Sequence, residues 1–175
     1  GTSGQLSIDP LKERQRDRLS ARTEGGFTKA ELSGSYLYTL SDKQGIYLSL
    51  NGQLASKNLD SSEKMLLGGI GGVRAYPSGE GQGDEGWQAT AEWRYRVLPS
   101  LQGVLFYDAG AVDINHTPFA AGTNHRSLSG GGLGVNASPL PGLGLKMNVA
   151  WRGSEAPVSD KDQKPRVWLQ ASYQF

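Results

Sequence analysis

"WQATAEWRYRVLPSLQGVLFYDAG", residues 87–110, decides the architecture of this chain. From 87 to 97 every second residue belongs to one set: Trp87, Ala89, Ala91, Trp93, Tyr95 and Val97. The set between them is Gln88, Thr90, Glu92, Arg94 and Arg96. A period of two places the sets on opposite faces of an extended strand. After the tight turn at 98–100, a second run alternates less cleanly. Leu101, Gly103, Leu105 and Tyr107 oppose Gln102, Val104, Phe106, Asp108 and Gly110. Two ten-residue strands joined by a short turn form an antiparallel hairpin with one apolar and one polar face.

The same pattern extends in both directions. "LGLKMNVAWR" separates Leu143, Leu145, Met147, Val149 and Trp151 from Gly144, Lys146, Asn148, Ala150 and Arg152. "RVWLQASYQF" separates Val167, Leu169, Ala171, Tyr173 and Phe175 from Arg166, Trp168, Gln170, Ser172 and Gln174. "SGQLSI", "FTKAELSGSYLYTL", "GIYLSLNGQL" and the weaker "RSLSGGGLGVNAS" complete a set of eight strands, near 3–8, 27–40, 45–54, 87–97, 101–112, 127–138, 143–153 and 166–175. "PLKERQRDRL" could form a helical turn but lacks a helical apolar stripe.

The connections discriminate between all-β folds. Short turns at 41–44, 98–100 and 139–142 alternate with long polar loops at 9–25, 56–86, 113–125 and 154–165. In an up-and-down sheet this gathers every long loop at one end, the asymmetry of outer-membrane barrels. A soluble sandwich has no reason to keep it. Strands of about ten residues suit a tilted membrane crossing, and Tyr36, Tyr38, Trp87, Trp151, Tyr173 and Phe175 near strand ends suit an interfacial girdle. The expected fold is therefore an antiparallel transmembrane β-barrel, with eight strands in this chain.

Composition narrows the function classes. Apolar residues are only 37% of 175, with 25 glycines, too few for an ordinary soluble core. A formal charge of +1 offers no electrostatic reason to expect nucleic acid. The absence of cysteine excludes a disulfide scaffold. The opening GTSGQLSIDP is no signal peptide and reads as the start of a mature, trimmed or partial chain.

With the strands placed, two motifs become recognisable. "VRAY" (Val73, Arg74, Ala75, Tyr76) closely resembles the VRGY/F signature in the sixth loop of two-partner secretion transporters of the haemolysin secretion/activation type and their barrel-assembly relatives. "FYDAG" (Phe106, Asp108, Gly110) matches the strand signature of the same superfamily. "ARTEGGFTKAEL", "LASKNLDSSEKMLLGG" and the terminal "ASYQF" also look like the transporter branch, and the resemblance covers essentially the whole chain.

The resemblance implies a bacterial outer-membrane pore. This chain would be the carboxy-terminal half, strands nine to sixteen, of a sixteen-stranded barrel, without the POTRA domains that bind the partner. It implies export of one unfolded exoprotein, an adhesin or haemolysin, with no ATP and no cofactor. The implied partners are that exoprotein, outer-membrane lipid and the barrel-assembly machinery, for which Tyr173 and Phe175 would form the C-terminal signal. It also implies that loop 56–86 inserts into the lumen, where Arg74 meets Asp108.

The physics of the residues points to the same pair. A carboxylate at membrane depth is expensive unless solvated or paired, and a guanidinium can bind it bidentately. The family glycine after the arginine is Ala75 here. If that position requires a positive φ, alanine would strain the tip by ~1–2 kcal/mol.

Other signals are weaker. "GGIGGVR" lacks the lysine of a phosphate-binding loop. His116, His125 and Asp113 could be imagined around a metal, and Glu80, Asp84 and Glu85 around calcium, but neither spacing is that of a known site. No nucleophile–base arrangement suggests an enzyme. The alternatives to the secretion pore are a barrel-assembly insertase of the same superfamily, a self-contained eight-stranded anchor or adhesin, and a soluble sandwich.

Overall fold

Alternation becomes a single antiparallel sheet in the computed structural model, which describes residues 1–8, 13, 15, 17 and 20–175. Its strands are β1 (Thr2–Leu6), β2 (Gly25–Ser41), β3 (Gln44–Ala55), β6 (Glu85–Leu98), β7 (Leu101–Asp113), β8 (His125–Leu140), β9 (Leu143–Arg152) and β10 (Arg166–Tyr173). The short β4 (Met65–Leu66) and β5 (Gln82–Gly83) pair with each other inside the β3–β6 loop. The main sheet runs β1-β2-β3-β6-β7-β8-β9-β10, each strand beside its predecessor, with β1 and β10 as open edges among the described residues.

Three of the connections shrink to two-residue turns, Asp42–Lys43, Pro99–Ser100 and Pro141–Gly142, shorter than the sequence suggests because the ladders run further into them. Pro141 pre-sets the first turn position, and Gly142 at φ +79° takes the left-handed second. The outer strands end early. β1 stops at Leu6, not at residue 8, because its partner β2 begins opposite at Gly25. β10 stops at Tyr173, where one more in-register bond, from the Gln174 N–H to the Gly142 carbonyl, closes it against the Pro141–Gly142 turn. Phe175 therefore lies beyond the strand and is fully exposed. The possible helical turn in 10–19 lies largely outside the described residues. No helix among them is long and apolar enough to cross a membrane.

Burial is inverted relative to a water-soluble domain. Leu105, Tyr107, Leu133, Met147, Trp151 and Leu169 point to the exposed face, whereas Gln53, Glu92, Asp108, Asn148 and Arg166 are buried. Tyr38 and Tyr173 mark the short-turn end of the exposed face, and Trp87 and Trp151 the long-loop end. An apolar band flanked by aromatic residues is what a hydrocarbon layer would cover.

The buried face is covered by the β3–β6 loop. Its apolar cluster joins Leu67, Val73, Ala75 and Tyr76 of that loop to Val104, Phe106 and Val112 of β7, Leu128 of β8 and Ala150 of β9. The loop is more ordered than a glycine-rich run suggests. Asp60 caps a 3-10 turn at Ser61–Glu63, β4 and β5 close the two legs, and Gly68 N–H donates to the Glu80 carbonyl.

Candidate functional site

The loop doubles back at residues 69–76, where the Gly69 N–H donates to the Tyr76 carbonyl and the Val73 N–H to that of Leu67. This narrow tip projects Arg74, only 7% exposed, against β6 and β7. Its Nε donates to Asp108 Oδ2 at 2.9 Å and its Nη2 to Oδ1 at 2.8 Å. Its backbone N–H also reaches Oδ2, at 3.1 Å. The remaining nitrogen, Nη1, donates to Glu92 Oε1 at 2.8 Å. Thr90 Oγ1 completes the Asp108 shell at 2.9 Å.

Registry explains why these groups meet. Thr90 lies directly opposite Asp108, and Glu92 opposite Phe106, across the β6–β7 ladder. The guanidinium carbon lies 3.5 Å from the Phe106 ring centroid, so the apolar member of the strand motif forms its floor. Arg94 donates to Glu92 Oε2 at 2.8 Å and stacks on Tyr47. Two cations and two carboxylates thus form a closed, neutral, hydrogen-bonded set, the condition under which buried charge is tolerable.

The tip is held on its other sides too. Trp168 Nε1 of β10 donates to the Arg74 carbonyl at 2.7 Å. Tyr76 OH lies 2.8 Å from both Ser154 Oγ and the Glu155 carbonyl oxygen. Ala75 occupies ordinary backbone geometry: the one non-glycine residue at positive φ among those described is Arg22. The anticipated strain at Ala75 is therefore absent. Its methyl instead fits because position 130 has none, a Cβ there falling 2.5 Å from that of Ala75. Gly110, the last member of the strand motif, leaves room for the Leu67 side chain in the same way.

Two further carboxylates are fully buried in the loop. Asp84 accepts from the backbone N–H groups of Leu59 (3.1 Å) and His116 (2.8 Å) and pairs with Lys64 at 2.9 Å. Glu80 lies between Gly79 (φ +86°) and Gly81 (φ +65°). Burial pushes its carboxyl up, but hydrogen bonds from Ser159, Val158 and Arg126 outweigh that and hold it below the usual range. The histidines lie apart, His116 with Glu85 (2.9 Å) and His125 with Asp113 (3.0 Å).

The motifs pointed to Arg74 and Asp108 but not to Glu92, Thr90 or Trp168. Their signal was face membership: a lone carboxylate among arginines in 88–96, and a tryptophan on the otherwise polar face of β10. Tyr173 and Phe175 touch none of this network; both are exposed at the chain's end.

A lipid-suited outer band, a polar inner face and a buried loop locked by ions define a segment of an outer-membrane β-barrel. The Omp85 superfamily domain matches residues 20–167, and the chain belongs to that superfamily. It is 32% identical over 173 residues to the heme/hemopexin transporter protein HuxB of Haemophilus influenzae, covering 95% of this chain and 30% of that protein. It is 32% identical over 148 residues to the outer membrane transporter CdiB of Dickeya dadantii, covering 79% and 25%. The solved structure of CdiB from Acinetobacter baumannii superposes with a TM-score of 0.63 at 22% identity, over 86% of this chain and 27% of that one. The chain thus spans less than a third of these relatives. They establish kinship with the two-partner secretion transporters and residence in the bacterial outer membrane.

Proposed function

We propose that this chain is half of a pore through which one unfolded exoprotein partner is exported, with loop 56–86 as a lumenal plug. One observation carries the reading: the buried pairing of Arg74 with Asp108 and Glu92 fixes the loop tip on the polar face. A buried ion pair adds little net stability compared with apolar packing, yet breaking it is costly, so it suits a contact that selects one position. Residues 1–175 act as one barrel segment. Lipid covers the exposed apolar band, and Tyr173 and Phe175 present the terminal signal to the assembly machinery. The transporter reading is favoured over the insertase because the relatives described are named as transporters.

The test places cysteines at positions 74 and 108 of the full-length transporter; the present chain has none of its own. A short bis-maleimide applied to outer membranes should join them and stop export of the partner, whereas the same double variant left unlinked, its tip free to leave, still exports. Export at the normal rate by crosslinked protein would refute the plug.

A further inference from the structure

The carboxylate of Glu80 serves neither motif, yet it is fully buried and aimed at the β9–β10 loop, residues 153–165. Its Oε2 accepts from the backbone N–H groups of Val158 and Ser159, each at 2.9 Å, and from Ser159 Oγ at 2.7 Å. Its Oε1 accepts from Arg126 Nη2 of β8 at 2.8 Å. The same arginine donates to the Ala156 carbonyl and pairs with Glu155, both at 2.8 Å. Four residues earlier, Tyr76 OH bonds to Ser154 and to the Glu155 carbonyl. Residues 76–80 are thus stitched to residues 154–159 from both ends.

Local geometry is arranged around this carboxylate. Glycines in the left-handed region flank it on either side, a geometry that a side chain at those positions would resist, and the Glu80 N–H closes a turn on the Pro77 carbonyl. The turn they make points Glu80 away from the tip and beneath the neighbouring loop. Arg126 then bridges all three elements, the inserted loop, the sheet and the β9–β10 loop.

We infer that Glu80 is a second positioning residue of the inserted loop: it latches the β9–β10 loop over the loop's returning leg, so that the tip cannot leave the sheet until this latch opens. The inference rests on the docked-loop reading above but concerns a different contact. Arg74 fixes where the tip sits; Glu80 fixes what lies over its exit. The β9–β10 loop is exposed on its far side, at Val158 for example, and is thereby accessible to anything approaching from the long-loop end.

The reporter is a Val73→Cys variant of the full-length transporter in outer-membrane vesicles, since Val73 is fully buried beside the tip. Its labelling by a membrane-impermeant maleimide reads tip exposure, and heat-modifiable migration reads the barrel. Adding Glu80→Gln should speed labelling by about tenfold or more, the effect of losing hydrogen bonds to a charged acceptor, while the barrel keeps its folded migration. Labelling at the parent rate from an intact barrel would overturn the latch.

If Glu80→Gln does not assemble, Ser159→Ala and a Gly–Ser replacement of residues 157–160 attack the same contact from the exposed loop. Faster labelling supports the latch and unchanged labelling overturns it. Arg74→Ala in the Val73→Cys background separates the two ideas. Acceleration there without acceleration by the Glu80 or loop variants leaves the docked tip and removes the latch. No acceleration by Arg74→Ala, even when combined with Glu80→Gln, removes the docked tip, and the latch with it.

Discussion

Replacing Asp108 by asparagine perturbs the site with the least change of shape. In the native arrangement Arg74 and Arg94 are balanced by Asp108 and Glu92; Asp108→Asn leaves two guanidinium groups sharing one carboxylate. The new amide keeps one acceptor oxygen, but its NH2 group must face either Arg74 Nη2 and the Thr90 hydroxyl, at the Oδ1 position, or Arg74 Nε and the Arg74 backbone N–H, at the Oδ2 position, where an acceptor stood. Removing one partner of a buried pair costs about 3–5 kcal/mol. Glu92 remains 2.8 Å from Nη1 and the Phe106 ring still lies under the guanidinium, so part of that is retained. The expected loss is roughly 2–3 kcal/mol in loop docking, or about 30- to 150-fold in its opening equilibrium. Hydrogen exchange on the full-length transporter reads this directly, because Leu67, Gly68, Gly69, Val73 and Tyr76 all donate backbone hydrogen bonds within the loop. Peptides spanning 67–81 should exchange faster by that factor while those from β7 and β8 keep their protection. Unchanged exchange in 67–81, or equal acceleration in the strands, would sink the argument that Asp108 holds the loop and not the barrel.

Acidification should loosen the β9–β10 loop. The Glu80 carboxyl is depressed in the folded protein, so its contribution is present above its ordinary value of 4.5 and is lost as pH falls through the lower folded value. The charged groups facing this site are Arg126 of β8 and Glu155 of the loop, the latter exposed. Proteolysis of residues 153–165 should accelerate below about pH 4.5 in the parent and show a weaker dependence in Glu80→Gln. Gly130→Ala should destabilise the folded form by ~1–3 kcal/mol through overpacking, since the added Cβ meets Ala75 at 2.5 Å and the Trp151 carbonyl at 2.9 Å. Ala75→Gly should recover only part of that, as read from the temperature at which heat-modifiable migration changes. Leu105→Arg, on the exposed face at mid-strand, should cost ~2–4 kcal/mol in lipid, whereas Gln102→Arg on the opposite face should cost far less; denaturant titration in vesicles compares them.

The strands were legible because period-two alternation is a local property, visible within any ten residues such as Trp87–Val97. The short turn at Pro99–Ser100 was legible too, but a bulge between Arg96 and Leu98 shifts the register of its hairpin. The loop interior was not legible in the same way. Its order comes from contacts between residues far apart in sequence, such as Trp168 Nε1 with the Arg74 carbonyl and Glu80 with Ser159, which no periodicity encodes. Arg74 and Asp108 were found through motifs because each is embedded in a distinctive local string. Glu92 belongs to no such string and becomes notable only once registry places it across from Phe106. The worry over Ala75 was also a local inference. It assumed that the tip turns at that residue, whereas the left-handed positions fall at Gly69, Gly79 and Gly81.

The inner side of β8 bears Gly130, Gly132 and Gly134, opposite Asp108, Phe106 and Val104. Ala75 of the loop crowds Gly130, whereas Phe106 of β7 lies across Gly132 and Asn148 of β9 across Gly134. The three glycines are therefore sockets, one for the inserted loop and two for side chains of the strands on either side. The seat of the loop and the packing of the wall around it are thus set by different glycines of one strand.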